Sequence, residues 1–202
     1  QALQQEFGLP ILDVPLVAVL GRLTFQKGFD LLVEILPELM ALDLQLVVLG
    51  TGDSHLEQQF IAAKEKYPQR IGLSLGFNEG LAHRVEAGSD MLVMPSRYEP
   101  CGLSQLYSLR YGTVPIVRRT GGLADTVIPF RPSTVKSRRA TGFHFIAPSP
   151  DALLSSILLA LSVYGEKEVW RSLVAAGMKA DLSWNQSARS YLDLYRRLQG
   201  RV

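Results

Sequence analysis

Three short stretches of this sequence collect side chains suited to holding an anionic, hydroxyl-rich molecule. In GRLTFQKG, which begins at Gly21, Arg22 and Lys27 stand five positions apart around a turn that opens a helix. Two cations with backbone donors nearby suit a diphosphate and the negative charge that develops on a departing oxygen. Either cation alone reads as an ordinary solvated charge, and the pair gains weight only from its neighbours. In PSRYEPCGLSQ, Glu99 sits between Tyr98 and Pro100, and Gly102 permits a close backbone approach where Leu103 and Ser104 open a helix. A carboxylate at a helix start is often no more than favourable helix electrostatics. This loop is richer in special residues than a cap requires. Glu99 can accept hydrogen bonds from sugar hydroxyls, while the N–H groups of Gly102, Leu103 and Ser104 address phosphate or ribose. In TGGLAD, Gly121 and Gly122 precede a helical turn and can cradle phosphate oxygens. Taken alone, paired glycines mark only a turn.

The elements around these stretches explain why they would meet. Apolar runs at Leu16–Leu20, Leu44–Leu49, Ile71–Leu75, Met91–Met94 and Val114–Val117 read as strands covered on both faces. Helical patterns lie between them, at Gly28–Leu42, Ser54–Tyr67, Glu79–Gly88 and Leu103–Tyr111, with Asp53 or Ser54 placed to cap the second. This alternation predicts an α/β fold, a Rossmann-like doubly wound parallel sheet. TGFHF reads as a short last strand, and helices dominate from there. DALLSSILLALSVY and SWNQSARSYLDLYRRLQ carry helical periodicity, the second with Ser183 as its cap and an aromatic and leucine stripe. Ligands of such sheets bind beyond the carboxyl ends of the strands, and every polar, glycine-containing loop named above follows a strand. Residues 1–202 read as one domain, with a C-terminal helical tail over 181–202.

Composition narrows the class. The net charge of +2 is too small to argue for nucleic acid, and the cluster Arg131, Lys136, Arg138 and Arg139 reads as a solvated loop. No apolar run approaches the roughly 20 residues that span a bilayer, so no membrane partner is expected. The lone Cys101 has no internal bridge to form and fits a reducing compartment, a bacterial cytoplasm or a plastid stroma. His55, His83 and His144 are too scattered for metal-ligand spacing and read as structural or surface residues, so no metal and no cofactor is expected. Neither a P-loop nor a G-x-G-x-x-G follows the first strand, which argues against P-loop hydrolysis and ordinary dinucleotide binding. The start at Gln1 reads as that of a piece of a longer protein.

Together, GRLTFQKGFDLL, LGTGD and GFNEGLAHRVEAGSDMLVMPSRYEPCGLSQLYSLRYGTVPIVRRTGGLADTV resemble the C-terminal domain of bacterial glycogen synthases and plant or cyanobacterial starch synthases, which are retaining GT-B glycosyltransferases. The likeness runs from about Leu16 to Val127 and resumes in GFHF and SWNQSARSYLDLY. The resemblance implies that Arg22 and Lys27 hold the diphosphate of ADP-glucose and stabilise the departing ADP. It implies that Glu99 binds the glucose hydroxyls, that Phe77 lies against the adenine, and that the backbone at Cys101–Ser104 contacts sugar, phosphate and ribose beside Gly21 and Tyr98. Thr120, Gly121, Gly122 and Leu123 would shape the glucose and phosphate end. The acceptor would be an α-1,4-glucan, extended with retention and without a metal. Synthases of this kind carry an N-terminal domain with a K-T-G-G-L loop that has no counterpart here. The C-terminal helix would pack across to that domain, and the present chain alone would transfer little glucose. Two other readings stay open on the residues: a GT-B transferase with another donor or acceptor, and a non-catalytic nucleotide-sugar-binding module.

Overall fold

The structure, a computed structural model, describes residues 1–200. Six strands, β1 (Leu16–Leu23), β2 (Gln45–Gly52), β3 (Ile71–Leu75), β4 (Met91–Met94), β5 (Val114–Arg118) and β6 (Phe143–Phe145), form one sheet in the order β3-β2-β1-β4-β5-β6. Every neighbouring pair is parallel. The helices are α1 (Ala2–Glu6), α2 (Phe29–Glu34), α3 (Leu36–Met40), α4 (Ser54–Lys66), α5 (Glu79–Gly88), α6 (Ser104–Tyr111), α7 (Gly121–Thr126), α8 (Pro132–Lys136), α9 (Pro150–Gly165), α10 (Lys167–Lys179) and α11 (Trp184–Leu198).

The strands are apolar at successive positions because each face is covered by its own layer. Val17, Val19, Leu46, Val48 and Val93 belong to a core with α2, α3, α4, α9 and α10. Leu16, Ala18, Val47, Leu49, Leu92 and Met94 alternate with them and belong to a second core with α1, α5 and α7. This is the period of two expected of a strand, doubled across both faces. A parallel sheet with helices on both faces is the doubly wound fold that the alternation predicts.

Several boundaries differ from the sequence expectation. β1 and β2 run on past their apolar cores, so Gly21 and Arg22 are strand residues paired with Gly50 and Thr51, not members of a free loop. The pattern over 28–42 divides into α2 and α3 at Ile35, because Pro37 has no N–H to continue the backbone ladder. Asp53 caps α4, its carboxylate accepting the His55 N–H at 3.0 Å. Ser183 occupies the cap position of α11 but makes no side-chain cap bond. The short helices α1 and α8 carry no strong periodicity, and α10 is divided from α9 only by the turn at Glu166. Arg131, Lys136, Arg138 and Arg139 are exposed in and around α8. Residues 201 and 202, the end of the tail read over 181–202, lie outside the described residues.

Candidate functional site

The strand order reverses at β1. From β1 the chain moves outward to β2 and β3, then returns to build β4 on its other side. Connections leaving β1 and β4 therefore diverge and open a crevice between the carboxyl ends of these two strands. A cleft of about 330 Å³ occupies that place. One wall is Leu20, Gly21 and Arg22 from the end of β1; another is Met94, Pro95 and Ser96 from the end of β4. Lys27, Glu99, Gly102, Leu103 and Ser104 also line it.

Lys27 ends a single 3₁₀ turn, Phe25–Lys27, and Gly28 follows in the left-handed conformation with φ 73°. A side chain at Gly28 would also place its Cβ 2.1 Å from the Pro95 carbonyl oxygen, so only glycine lets this turn lie against the end of β4. Glu99 is only 5% exposed. Its Oε2 accepts from the Lys27 ammonium and from the Ser96 hydroxyl, the latter at 3.2 Å. A buried carboxylate needs such partners, and its second oxygen remains for a ligand hydroxyl. Arg22 is exposed at the rim, and no ion pair among the described residues engages it. The N-terminus of α6 points its uncapped end at the same cleft, with Leu103 as a cap that offers no side-chain acceptor. Its first N–H groups are thus free for an anion.

A second hollow of about 190 Å³ adjoins the first and shares Leu20, Gly21 and Arg22 with it. Its other walls include Leu49, Gly50, Thr51, Ala82 and Phe77, a residue 89% exposed. One hollow is charged and hydrogen-bonding, the other chiefly apolar, and Arg22 stands where they join.

Of the residues singled out from sequence, Gly21, Arg22, Lys27, Glu99, Gly102, Leu103 and Ser104 come together in the cleft, and Phe77 lies in the adjoining hollow. Tyr98 and Cys101 are exposed on the same loop but on neither wall. Thr120, Gly121, Gly122 and Leu123 stand behind that loop. The Gly122 N–H donates to the Glu99 carbonyl at 3.1 Å, and the Leu123 side chain is fully buried in the core. Leu123 can therefore meet a ligand only through its backbone.

Sequence reasoning passed over several supporting residues. Ser96 touches Glu99 directly. Gln105 is fully buried and donates to the carbonyls of Cys101 and Gly102, each at 3.0 Å, fixing the turn before α6. Both lie inside the quoted PSRYEPCGLSQ, but nothing in a serine or a glutamine announces burial. Glu86, on α5, is 2% exposed and faces the start of α6. Burial pushes its carboxyl up to about 7, an effect that the nearby His83 and Ser104 only partly offset. His83 Nδ1 stands 3.5 Å from Glu86 Oε2, an oxygen with no hydrogen-bond partner among the described residues.

A stability prediction follows from Glu86. An acid whose folded pKa lies above its unfolded value of 4.5 costs the fold nothing below pH 4.5, and a growing penalty as pH rises through about 7. Replacing Glu86 by Gln is expected to remove that loss, making the variant more stable than the parent at pH 8 by on the order of 3 kcal/mol and equal to it near pH 4. Urea unfolding across this range reads the difference. Asp90, whose carboxyl is also raised by burial, contributes equally to both proteins and cancels. Parallel pH curves for the two proteins would refute the burial argument.

A parallel doubly wound sheet with a cleft at its switch point defines a Rossmann-like, nucleotide-type binding domain. The chain belongs to the glycosyl transferases group 1 family, whose model matches residues 4–172. Within it, the similarity is to glycogen synthases. The glycogen synthase of Anaeromyxobacter sp. (strain Fw109-5) is 52% identical over 198 residues, covering 98% of this chain and 41% of that protein. The glycogen synthase of Thioalkalivibrio sulfidiphilus (strain HL-EbGR7) is 50% identical over 199 residues, again 98% of this chain and 41% of the relative. Among solved structures, the catalytic domain of starch synthase IV from Arabidopsis thaliana, bound to ADP and acarbose, superposes with a TM-score of 0.86 at 33% identity. That match covers 97% of this chain and 41% of the other. The present chain thus spans about two fifths of the length of these relatives.

Proposed function

We propose that this chain is the donor-binding domain of a glycogen or starch synthase, which transfers glucose from ADP-glucose to the non-reducing end of an α-1,4-glucan with retention. The observation that carries the reading is the pair of joined hollows, one lined by Lys27 and Glu99 and the other by Phe77, with Gly21 and Arg22 common to both. A glucosyl group and diphosphate need cations, a carboxylate and backbone N–H groups; a base needs an apolar slot with an aromatic face. In this reading Arg22 and Lys27 hold the diphosphate, Glu99 holds the glucose hydroxyls, and Gly102, Leu103 and Ser104 offer N–H groups. The backbone at Cys101, beside Tyr98, lies along the sugar and ribose, and Thr120–Leu123 shape the glucose end from behind. The bond from glucosyl C1 to phosphate oxygen breaks, C1 bonds the acceptor oxygen, the acceptor's proton passes to the departing phosphate oxygen, and ADP leaves with its remaining negative charge held by Arg22 and Lys27. The relatives' names and the ADP in the starch synthase structure support the same donor.

The acceptor side belongs to a second domain in this reading. Helix α11 supports it. None of its residues is buried, and Trp184, Ala188, Tyr191, Tyr195 and Leu198 form one stripe at helical spacing, with Trp184 84% exposed. Such a face needs a cover. Residues 1–202 thus act as one donor-binding domain, whose helical tail from 181 packs across onto the N-terminal half.

The test joins the domain to its N-terminal half and measures labelled glucose incorporation. ADP-glucose is expected to outcompete UDP-glucose and GDP-mannose. The 202-residue chain alone is expected to bind ADP yet show little transfer, because half the site is missing and open to water. Substantial turnover by the isolated chain would refute the division of labour. Absence of transfer by the joined protein would favour a binding module, and preference for another nucleotide sugar a different transferase.

A further inference from the structure

Lys27 and Glu99 lie 72 positions apart, in turns that follow different strands. Their meeting depends on whatever holds the turn after β1 against the turn after β4. Arg97 makes several of the contacts that do so. Its backbone N–H donates to the Gln26 carbonyl at 2.8 Å. Its guanidinium donates to the Phe25 carbonyl at 2.8 Å and lies 3.7 Å from the Phe25 ring centre. The same guanidinium grips both carboxylate oxygens of Asp30, at 2.6 and 2.7 Å. Phe25 and Asp30 flank Lys27 in sequence, so Arg97 seizes the turn on both sides of the lysine. Arg118 in turn donates to the Ser96 carbonyl at 2.6 Å and to the Arg97 carbonyl, bracing the other end.

We propose that Arg97 and Asp30 form a positioning clamp that sets the separation of Lys27 and Glu99, on the reading that these two engage the donor. Neither clamp residue lines the cleft, so neither touches the donor itself. A partly exposed ion pair contributes little to stability on its own, whereas a planar, bidentate and ring-stacked guanidinium fixes orientation. Orientation is what this pair of groups needs. The donor must draw Lys27 toward phosphate and leave Glu99 on the sugar, and a displacement of about 1 Å at such a site can cost about 100-fold in rate.

The test uses the full-length protein with Asp30→Asn, Arg97→Lys, their double variant and Asp30→Glu. Each of the first two is expected to lower kcat by about 10- to 100-fold with the KM for ADP-glucose within about threefold of the parent. The double variant is expected to lose no more than the worse single one, since both remove one contact. Asp30→Glu, which keeps the carboxylate, is expected to recover at least about tenfold over Asn. Should Asp30→Asn fail to fold, Arg97→Lys, which keeps the charge, decides alone. Single variants with kcat within about threefold of an active parent, or losses that multiply in the double variant, would overturn the clamp. A parent protein that neither binds ADP nor transfers glucose would instead bring down the donor reading, and the clamp with it.

Discussion

Glu99→Ala in the full-length protein is expected to lower glucose transfer from ADP-glucose by about 100- to 1,000-fold while the protein still folds. The size of the effect comes from where the carboxylate stands. Glu99 is buried at the floor of the cleft, already desolvated and already oriented by Lys27 and Ser96. Hydrogen bonds to a charged, preoriented acceptor are worth more than those to a mobile surface group. Losing them leaves the glucose free to turn in the site. Lys27→Ala is expected to fall in the same range by a different route, since on the proposed reading the departing ADP then loses one of its two cations. The double variant is expected to be little worse than either single one, because each removal also spoils the placement of the other. Glu99→Gln separates charge from shape: it keeps an acceptor oxygen but no longer anchors the ammonium. Initial rates with labelled donor, together with a melting curve for each variant, settle the assignment. Near-parental rates for both Ala variants would sink it.

Gly122→Ala is expected to act nearly as strongly without touching a charged group. A Cβ at this position would sit 2.2 Å from the Cys101 carbonyl oxygen and 2.7 Å from the Cys101 Cα and carbonyl carbon. These are backbone atoms of the loop that carries Glu99, and they yield only if the loop moves. Gly121 is confined similarly, with a Cβ 2.1 Å from the Glu99 carbonyl oxygen. The expected cost of Gly122→Ala is about 2–3 kcal/mol of stability together with a loss of transfer of about 100-fold. Gly165→Ala provides the control, since a Cβ there meets nothing within 4 Å. Unfolding midpoints and initial rates of the two variants read the contrast. Parental stability and parental rate for Gly122→Ala would remove the close approach as an explanation for the paired glycines. In this account Gly121 and Gly122 serve first as a thin support behind Glu99, a different task from cradling phosphate oxygens directly.

Much of the architecture was legible from local pattern. Runs such as Leu16–Leu20 and Met91–Met94 are apolar on both faces of a strand, which is itself the mark of a sheet covered by two layers. Arg22, Lys27, Glu99 and Gly102 could be picked out because they gather at the carboxyl ends of predicted strands, where ligands of such sheets bind. What escaped was whatever depended on a partner distant in the chain. Ser96, Gln105 and Glu86 look like surface residues until packing buries them. Asp30 and Arg97 look like solvated charges until the two turns close on each other. Leu123, which the resemblance sets at the glucose end of the site, has a side chain that completes the core.

The amino-acid order alone therefore specified the kind of elements, the side on which chemistry would gather, and the family whose wording the loops share. Periodicity and turn chemistry act over a few residues, and a few residues suffice to read them. The strand order is another matter. Only the folded chain places β4 beside β1, and only that adjacency turns two separate charged loops into one cleft with Lys27 paired to Glu99. Which strands become neighbours is decided by the packing of both helical layers over the whole sheet, a long-range balance that no local run of sequence records.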